Sequence, residues 1–267
     1  MTVIFTAKTK NAYNIKILAE LLSNNIKVGH FVITEESISL CMMDTHRKIL
    51  ISVKLLAENF SLYRLKTDKL YIGINLNHFH KMLKSIKKKD TLELTIDTDI
   101  ANKLAIKVFP KENDRITTSY ITIQSVQEID IEMPPVDKKP IIISSPEFQK
   151  MVKDMNNIGK VINIKAKKFN IQFSCETEGV LARKVDFGEE YYSDDEDVDK
   201  KDTYNQHFFS EQLVRITKIS GLSNIIKIYP NNPLLFKSNI DNLGEIFIFI
   251  KSNEQLEREE YELNSIK

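Results

Sequence analysis

At 267 residues the chain is long enough for two domains of ordinary size. Hydrophobic residues make up 42% and charged residues 28% of it, which excludes a disordered chain and is typical of a globular protein. The 38 basic and 37 acidic side chains nearly cancel, so a nucleic-acid-binding role would depend on where the charges lie.

Short runs of β-branched residues, separated by polar turns, predict a protein made mainly of strands. The clearest runs are residues 49–55, 92–96, 121–123, 161–165, 225–229 and 245–250. Helical periodicity appears in four segments, roughly residues 11–24, 75–87, 146–157 and 209–219. We therefore expect an α+β fold with two pairs of helices packed on antiparallel sheets.

The third predicted helix has a recognisable beginning. Ser144 or Ser145 can cap it, Pro146 suits its first turn, and Glu147 lies near the positive end of the helix dipole.

A segment without sustained periodicity separates the two helix pairs. Residues 124–139 contain two prolines and alternating acids, which indicates an extended connector. We expect an N-terminal domain over residues 1–123, the connector over 124–139, and a C-terminal domain over 140–267.

Residues 186–205 form a second irregular stretch, whose acidic side chains include Glu189, Glu190, Asp194, Asp195, Glu196, Asp197 and Asp199. A calcium site is the more specific interpretation, but the spacing of the acidic residues lacks the glycine and the terminal glutamate of an EF-hand loop. We expect a solvated surface loop and assign no metal.

A repeated hexapeptide pattern connects the helices: an aromatic residue, any residue, Lys, Met, an aliphatic residue and Lys. Residues 79–84 and 148–153 both follow it, residues 213–218 keep the same logic, and residues 15–18 keep part of it. Lys16 and Lys150, Lys81 and Arg215, and Lys84 and Lys218 are separated by one interval of about half the chain. The two domains are therefore expected to be copies of one template.

Helical spacing predicts which side of each helix is exposed. At about 100° per residue, Phe148, Met151, Val152 and Met155 fall on one side, while Lys150, Lys153 and Asn157 fall on the other. For the second helix, the same calculation predicts that Phe79, Met82 and Leu83 point inward and that Lys81, Lys84 and Lys88 point outward. For the fourth helix, it predicts Leu213 and Ile216 inward and Arg215 and Lys218 outward. Lysines on one helix are ordinary solvated residues, but their repetition on several helices predicts a common polyanion, namely the phosphates of duplex DNA.

The sequence gives little support to an enzymatic function. The sequence has no phosphate-binding GxxxxGK[ST] loop and no GxSxG nucleophile motif, so a nuclease or an NTPase is disfavoured. His78 and His80 lie two positions apart on a predicted helix and diverge too far to chelate one ion.

Only two cysteines, Cys41 and Cys175, are present, which fits a reducing compartment. We expect no catalytic residue, no cofactor and no membrane-spanning segment.

Several motifs resemble the proliferating cell nuclear antigen family of sliding clamps. They include ISLCMMD at 38–44, FSLYR at 60–64, GINL at 73–76, PEF at 146–148, DMNNIG at 154–159, PLL at 233–235 and DNLG at 241–244. The resemblance covers nearly the whole chain. It implies a ring of three subunits with helices inside and sheets outside, joined through edge strands near residues 115–121 and 179–184.

The resemblance also implies functional residues. The basic residues expected to face DNA across the pore are Lys16, Lys81, Lys84, Lys150, Lys153 and Lys218, with Arg215 added from the internal repeat. A pocket for partner peptides carrying aromatic anchors would be formed by Met43, Leu50, Ile131, Met133, Pro134 and Pro233. Lys48 stands where that pocket has an apolar residue, and Lys251-Ser252 replaces a usual Ala-Pro at its edge, so partner specificity is expected to differ.

On this interpretation the chain is a homotrimeric processivity factor. It is expected to bind double-stranded DNA independently of base sequence. Its expected protein partners are DNA polymerase, other proteins with a clamp-binding motif, and an ATP-driven clamp loader, and no membrane partner is expected. We expect a nuclear location, or a cytoplasmic replication site if the protein is viral. Two alternatives stay open: a subunit of a heterotrimeric checkpoint-type clamp, and a monomeric viral processivity factor.

Overall fold

The computed structural model describes residues 3–100, 102–112, 115–127, 129–188 and 203–265. Its residues group into two compact units. Unit 1 comprises Met1–Glu132 with Gly221–Ser223 and Asn239–Phe247, and unit 2 comprises Met133–Ser220, Asn224–Ser238 and Ile248–Lys267. No helix among the described residues is long and apolar enough to cross a membrane.

Unit 1 is an antiparallel sheet that carries two helices. Its strands are β1 (Val3–Thr9), β2 (Val28–Thr34), β3 (Ser37–Met43), β4 (Ile49–Leu56), β5 (Leu62–Leu65), β6 (Lys69–Asn75), β7 (Thr91–Asp97), β8 (Lys103–Phe109) and β9 (Thr117–Ser125). They run in the order β4-β3-β2-β6-β9-β8-β7-β1-β5. Helices α1 (Ala12–Ser23) and α2 (Leu76–Leu83) pack against each other, and a 3₁₀ turn covers Ala57–Asn59.

Unit 2 has the same kinds of element in two sheets. Its elements are β10 (Ile141–Ser144), α3 (Ser145–Asn156), β11 (Val161–Lys167), β12 (Asn170–Thr177), β13 (Leu181–Phe187), β14 (Tyr204–Phe209), α4 (Ser210–Ile216), a 3₁₀ turn (Thr217–Gly221), β15 (Ile225–Tyr229), β16 (Leu234–Ile240), β17 (Gly244–Ile250) and α5 (Asn253–Ser265). The last residue of the 3₁₀ turn, the last two residues of β16 and residues 244–247 of β17 are grouped with unit 1. The sheet orders are β10-β15-β16-β17 and β13-β12-β11-β14.

The core of unit 2 shows why α3 lies on its sheets. Phe148 on α3 is fully buried, and its ring lies 6.2 Å from that of Phe173 and 5.4 Å from that of Phe236. Burying such aromatic rings removes a large apolar area from water and is a main source of stability.

Local capping fixes the beginnings of two helices. The Ser144 side chain accepts a hydrogen bond from the Glu147 N–H, with Pro146 in the first turn, as the sequence predicts. In unit 1 the Asn75 side chain accepts from the His78 N–H at 3.0 Å.

The sequence predictions are right for the four helices and wrong in three details. The helix predicted over 75–87 ends as α2 at Leu83, and α5 was not predicted at all. The stretch predicted as irregular over 186–205 begins inside β13 and ends inside β14. Its remaining acidic part, residues 189–202, lies outside the described residues. Residues 126–140, apart from position 128, contain no strand or helix.

Candidate nucleic-acid interface and partner groove

Helix α3 presents two lysines on its exposed side. Phe148, Met151, Val152 and Met155 are buried, whereas Lys150, Lys153 and Asn157 are exposed, so the predicted division of this helix is confirmed. Neither lysine has a carboxylate partner among the residues that the structure describes. Two unneutralised ammonium groups therefore project from this helix.

Helix α2 carries a similar exposed side that differs in one residue. Phe79 and Leu83 are buried and Lys81 and Lys84 are exposed, as predicted. Met82, predicted to point inward, is instead 37% exposed. Because α2 has only 8 residues, its three buried residues Leu76, Phe79 and Leu83 already span its buried side.

Helix α1 holds its lysine differently. Lys16 is only partly exposed, and its Nζ donates a hydrogen bond to the Ile86 carbonyl oxygen at 2.9 Å. The same Nζ lies 5.4 Å from the centre of the Tyr13 ring. One proton of this ammonium is thus held within unit 1.

The basic residues of the α4 region are also partly covered. Arg215 on α4 and Lys218 in the following 3₁₀ turn are half-buried, and both make further polar contacts. Leu213 and Ile216 are buried beneath them, as predicted. The cations of this region are therefore less exposed than those of α2 and α3.

Two sheet edges are open within the described part of the chain. Residues 117–122 of β9 pair with β8 on one side only, and β13 pairs only with β12 and ends its sheet. Both edges carry exposed apolar side chains, with Tyr120 at 50% and Leu181 at 57% exposure. Exposed strand edges of this kind can pair with another chain.

The residues predicted to bind partner peptides are divided between the two units. In unit 1, Met43 is exposed and lies opposite Leu50 in the β3–β4 ladder, but Leu50 is only 5% exposed. Ile131 is half-buried. In unit 2, Met133 is exposed, while Pro134 and Pro233 are half-buried and the Asn232–Pro233 peptide bond is cis.

The Asn231 side chain makes two hydrogen bonds to the unit 2 end of the connector. Asn231 is 8% exposed, and its amide nitrogen donates to the Pro135 carbonyl at 3.0 Å. Its amide oxygen accepts from the Lys138 N–H at 3.2 Å. Sequence reasoning missed this residue, because an Asn-Asn pair between two prolines is typical of a simple turn.

Unit 1 contains a depression next to the beginning of the connector, also missed from the sequence. Its lining includes His30, Cys41, Ser52, Tyr71, Val126 and Ile129. Burial raises the pKa of the Cys41 thiol, with a smaller opposing effect from the Ser52 hydrogen bond, so the thiol stays protonated at neutral pH.

Helix α5 begins with a capping box. Ser252 is fully buried; its Oγ accepts from the Gln255 N–H at 3.2 Å, and its own N–H donates to Gln255 Oε1 at 3.0 Å. Glu254 then contacts His207 Nδ1 at 2.6 Å and accepts from the His207 N–H at 3.1 Å. The capping pattern Ser252-x-x-Gln255 is the sequence signal that predicts this helix.

Comparison with known proteins matches residues 4–253 of the chain to one family. The family model described as "Proliferating cell nuclear antigen, N-terminal domain" matches residues 4–133, and that described as "Proliferating cell nuclear antigen, C-terminal domain" matches residues 134–253. Most of α5 lies beyond this match.

Relatives and a solved structure agree with the family match. "Proliferating cell nuclear antigen" of Chaetomium thermophilum is 25% identical over 240 residues, covering 88% of this chain and 92% of its own. "Uncharacterized protein 436R" of Invertebrate iridescent virus 6 is 26% identical over 289 aligned positions, covering 96% and 94%. The crystal structure of "Proliferating Cellular Nuclear Antigen" from Entamoeba histolytica superposes with a TM-score of 0.80 at 19% identity, covering 94% and 100%, which shows the same fold.

Proposed function

The chain belongs to the proliferating cell nuclear antigen family of DNA sliding clamps, and on that premise we propose that three copies form a ring that encircles duplex DNA. The ring tethers DNA polymerase to its template and acts as a non-enzymatic processivity factor.

The DNA-binding part of this proposal rests on the exposed lysines of α2 and α3. Lys81, Lys84, Lys150 and Lys153 occupy matching positions of an internal repeat and have no carboxylate partner among the described residues. Unpaired ammonium groups attract phosphates without reading bases, so the contact is independent of sequence. Such weak contacts let a ring slide, while its closure keeps it on DNA.

The two open sheet edges support ring closure. An edge strand on unit 1 and another on unit 2 can pair head to tail between copies, which satisfies the exposed backbone groups of both. A heterologous contact of this kind closes a ring when the rotation from one copy to the next, repeated a whole number of times, completes a full turn.

Partner proteins are proposed to bind beside the connector. Met43 and Met133 are exposed apolar side chains, and the connector has no regular structure of its own. An aromatic anchor of a DNA polymerase or another clamp-binding protein packs well against an exposed apolar side chain of this kind. An ATP-driven loader is proposed to open the ring onto DNA.

The lysine assignment is tested by reversing charge at Lys81, Lys150 and Lys218 together, each to Glu. We expect polymerase stimulation on a primed circular template, with loader present, to fall by at least about tenfold, because phosphate contacts are replaced by repulsion. Light scattering should still give the mass of the wild-type assembly. The charge-matched control reverses Lys54, Lys165 and Lys167, which are exposed on strands, and should keep full stimulation. Undiminished stimulation by the first variant would remove the lysine assignment.

A further inference from the structure

Each unit has a side chain that joins its first helix to the end of its second. In unit 1, Lys16 Nζ on α1 donates to the Ile86 carbonyl, 2.9 Å away in the turn that follows α2. In unit 2, Gln149 Nε2 on α3 donates to the Thr217 carbonyl, 3.2 Å away directly after α4. Both contacts tie a side chain of the first helix to a backbone carbonyl of the segment that follows the second helix.

The residue that makes this contact occupies a different position of the internal sequence repeat in each unit. Lys16 matches Lys150, not Gln149, in the internal repeat. Because Gln149 holds the helix end in unit 2, Lys150 is left exposed and without a partner among the described residues. In unit 1 the matching lysine makes the helix contact itself and is partly buried.

A different lysine of unit 1 has the freedom that Lys16 lacks. Lys88, in the turn after α2, is exposed, and its Nζ lies 5.9 Å from the centre of the Tyr13 ring. An aromatic face orients an ammonium group without neutralising its charge. The neighbouring Lys87 is instead paired with Glu112 at 3.2 Å. No carboxylate partner of Lys88 occurs in the described ranges.

We propose that Lys16 is a positioning residue that fixes the end of α2 against α1, and that Lys88, held over Tyr13, makes the phosphate contact in its place. The inference rests on the proposed DNA-binding function and refines it. The basic face of unit 1 then comprises Lys81, Lys84 and Lys88, and it extends from α2 into the following turn.

The salt dependence of DNA binding separates the two roles. Each phosphate contact contributes about −0.9 to the slope of log Kobs against log salt concentration on B-form DNA. The slope is measured by fluorescence anisotropy of a short labelled duplex over a series of sodium chloride concentrations, with the wild-type protein and four variants: Lys16→Gln, Lys88→Gln, Lys150→Gln and Lys87→Gln.

We expect Lys88→Gln and Lys150→Gln each to reduce the steepness by at least about 0.9, since one contact or more is lost per ring. Lys16→Gln keeps a donor like that of Gln149 and should leave the slope unchanged. Lys87→Gln, the neighbouring control, should change it less than Lys88→Gln, because the charge of Lys87 is already paired.

A second measurement tests the positioning role of Lys16. Lys16→Met cannot donate to Ile86, so its thermal unfolding midpoint should be lower than that of wild type, whereas Lys16→Gln should restore the midpoint. The inference is overturned if Lys16→Gln loses as much slope as Lys150→Gln, if Lys88→Gln has the wild-type slope, or if Lys16→Met unfolds at the wild-type midpoint. A wild-type protein without salt-dependent duplex binding would instead refute the proposed DNA-binding function itself.

Discussion

The neighbours of a charged side chain decide whether its charge is available to a ligand. Lys87 and Lys88 are adjacent and both exposed, yet one is paired with Glu112 and the other lies over an aromatic ring. Repetition in the sequence is enough to predict which lysines lie on a helix surface. Only the folded contacts distinguish a lysine bound to a carbonyl, such as Lys16, from one open to phosphate.

Burial at single positions is predictable where one side of an element faces water. The division of α3 into apolar and basic sides follows from its spacing alone. Leu50 is different, because Ile49, Leu50 and Ile51 are all buried, so both faces of β4 are covered at this point and alternation gives no guide.

Glu254 provides a pH-dependent contact at the beginning of α5. Burial alone would raise its pKa, but hydrogen bonds from the His207 imidazole and from backbone N–H groups outweigh burial, and the pKa of Glu254 is lowered. A lowered carboxyl pKa contributes stability that is complete at neutral pH and is lost as the pH falls through that pKa, in the acid range below ordinary glutamate values.

We predict that Glu254→Gln increases amide hydrogen exchange in α5 at neutral pH. Mass spectrometry of residues 253–265 would compare wild type and variant at each pH, so that the intrinsic pH dependence of exchange cancels. The difference should shrink as the wild-type carboxylate becomes protonated in acid. Glu257→Gln, at an exposed position, is the matched control and should behave as wild type. Equal protection of wild type and Glu254→Gln at neutral pH would contradict the role given to this contact.

Helices differ in how clearly the sequence predicts them, and α5 shows why. Helices α1 to α4 bury an apolar stripe, which gives a strong periodic signal. Among the described residues, helix α5 has no buried residue, and its first turn and the Lys251–Glu259 ion pair at 2.7 Å attach it to the rest of unit 2. A polar helix without an apolar stripe lacks that signal, and only the capping pattern at Ser252 remains to predict it.

The connector depends on Asn231 in a way that can be measured. Asn231→Ala removes both of its hydrogen bonds, each worth about 0.5–1.5 kcal/mol. We expect faster exchange of the Lys138 amide and weaker binding of a clamp-binding-motif peptide from the cognate polymerase, measured by calorimetry. Asn231→Asp keeps the acceptor for Lys138 but loses the donor to Pro135, so its effect should be intermediate. Peptide binding that is unchanged in Asn231→Ala would show that this connector contact does not support partner binding.

The two units of the molecule reflect a duplicated template. The interval between matched lysines predicts two copies with a helix pair each, and both copies are present as α1–α2 and α3–α4. The proposed assembly depends on a different feature, the strand edges that each copy leaves unpaired within its described residues. Those edges were predicted from the family resemblance, because the pattern of apolar residues along one chain does not mark which strand lies at the end of a sheet.

Topological binding to DNA is the central claim. Loaded onto nicked circular DNA by an ATP-driven loader, the wild-type protein should remain bound through gel filtration and should be released once the circle is cut to a linear form. Leu181→Asp places a charge on the open β13 edge and is predicted to give a monomer by light scattering that is not retained on the circle. Equal retention of the wild-type protein on circular and linear DNA would contradict the account.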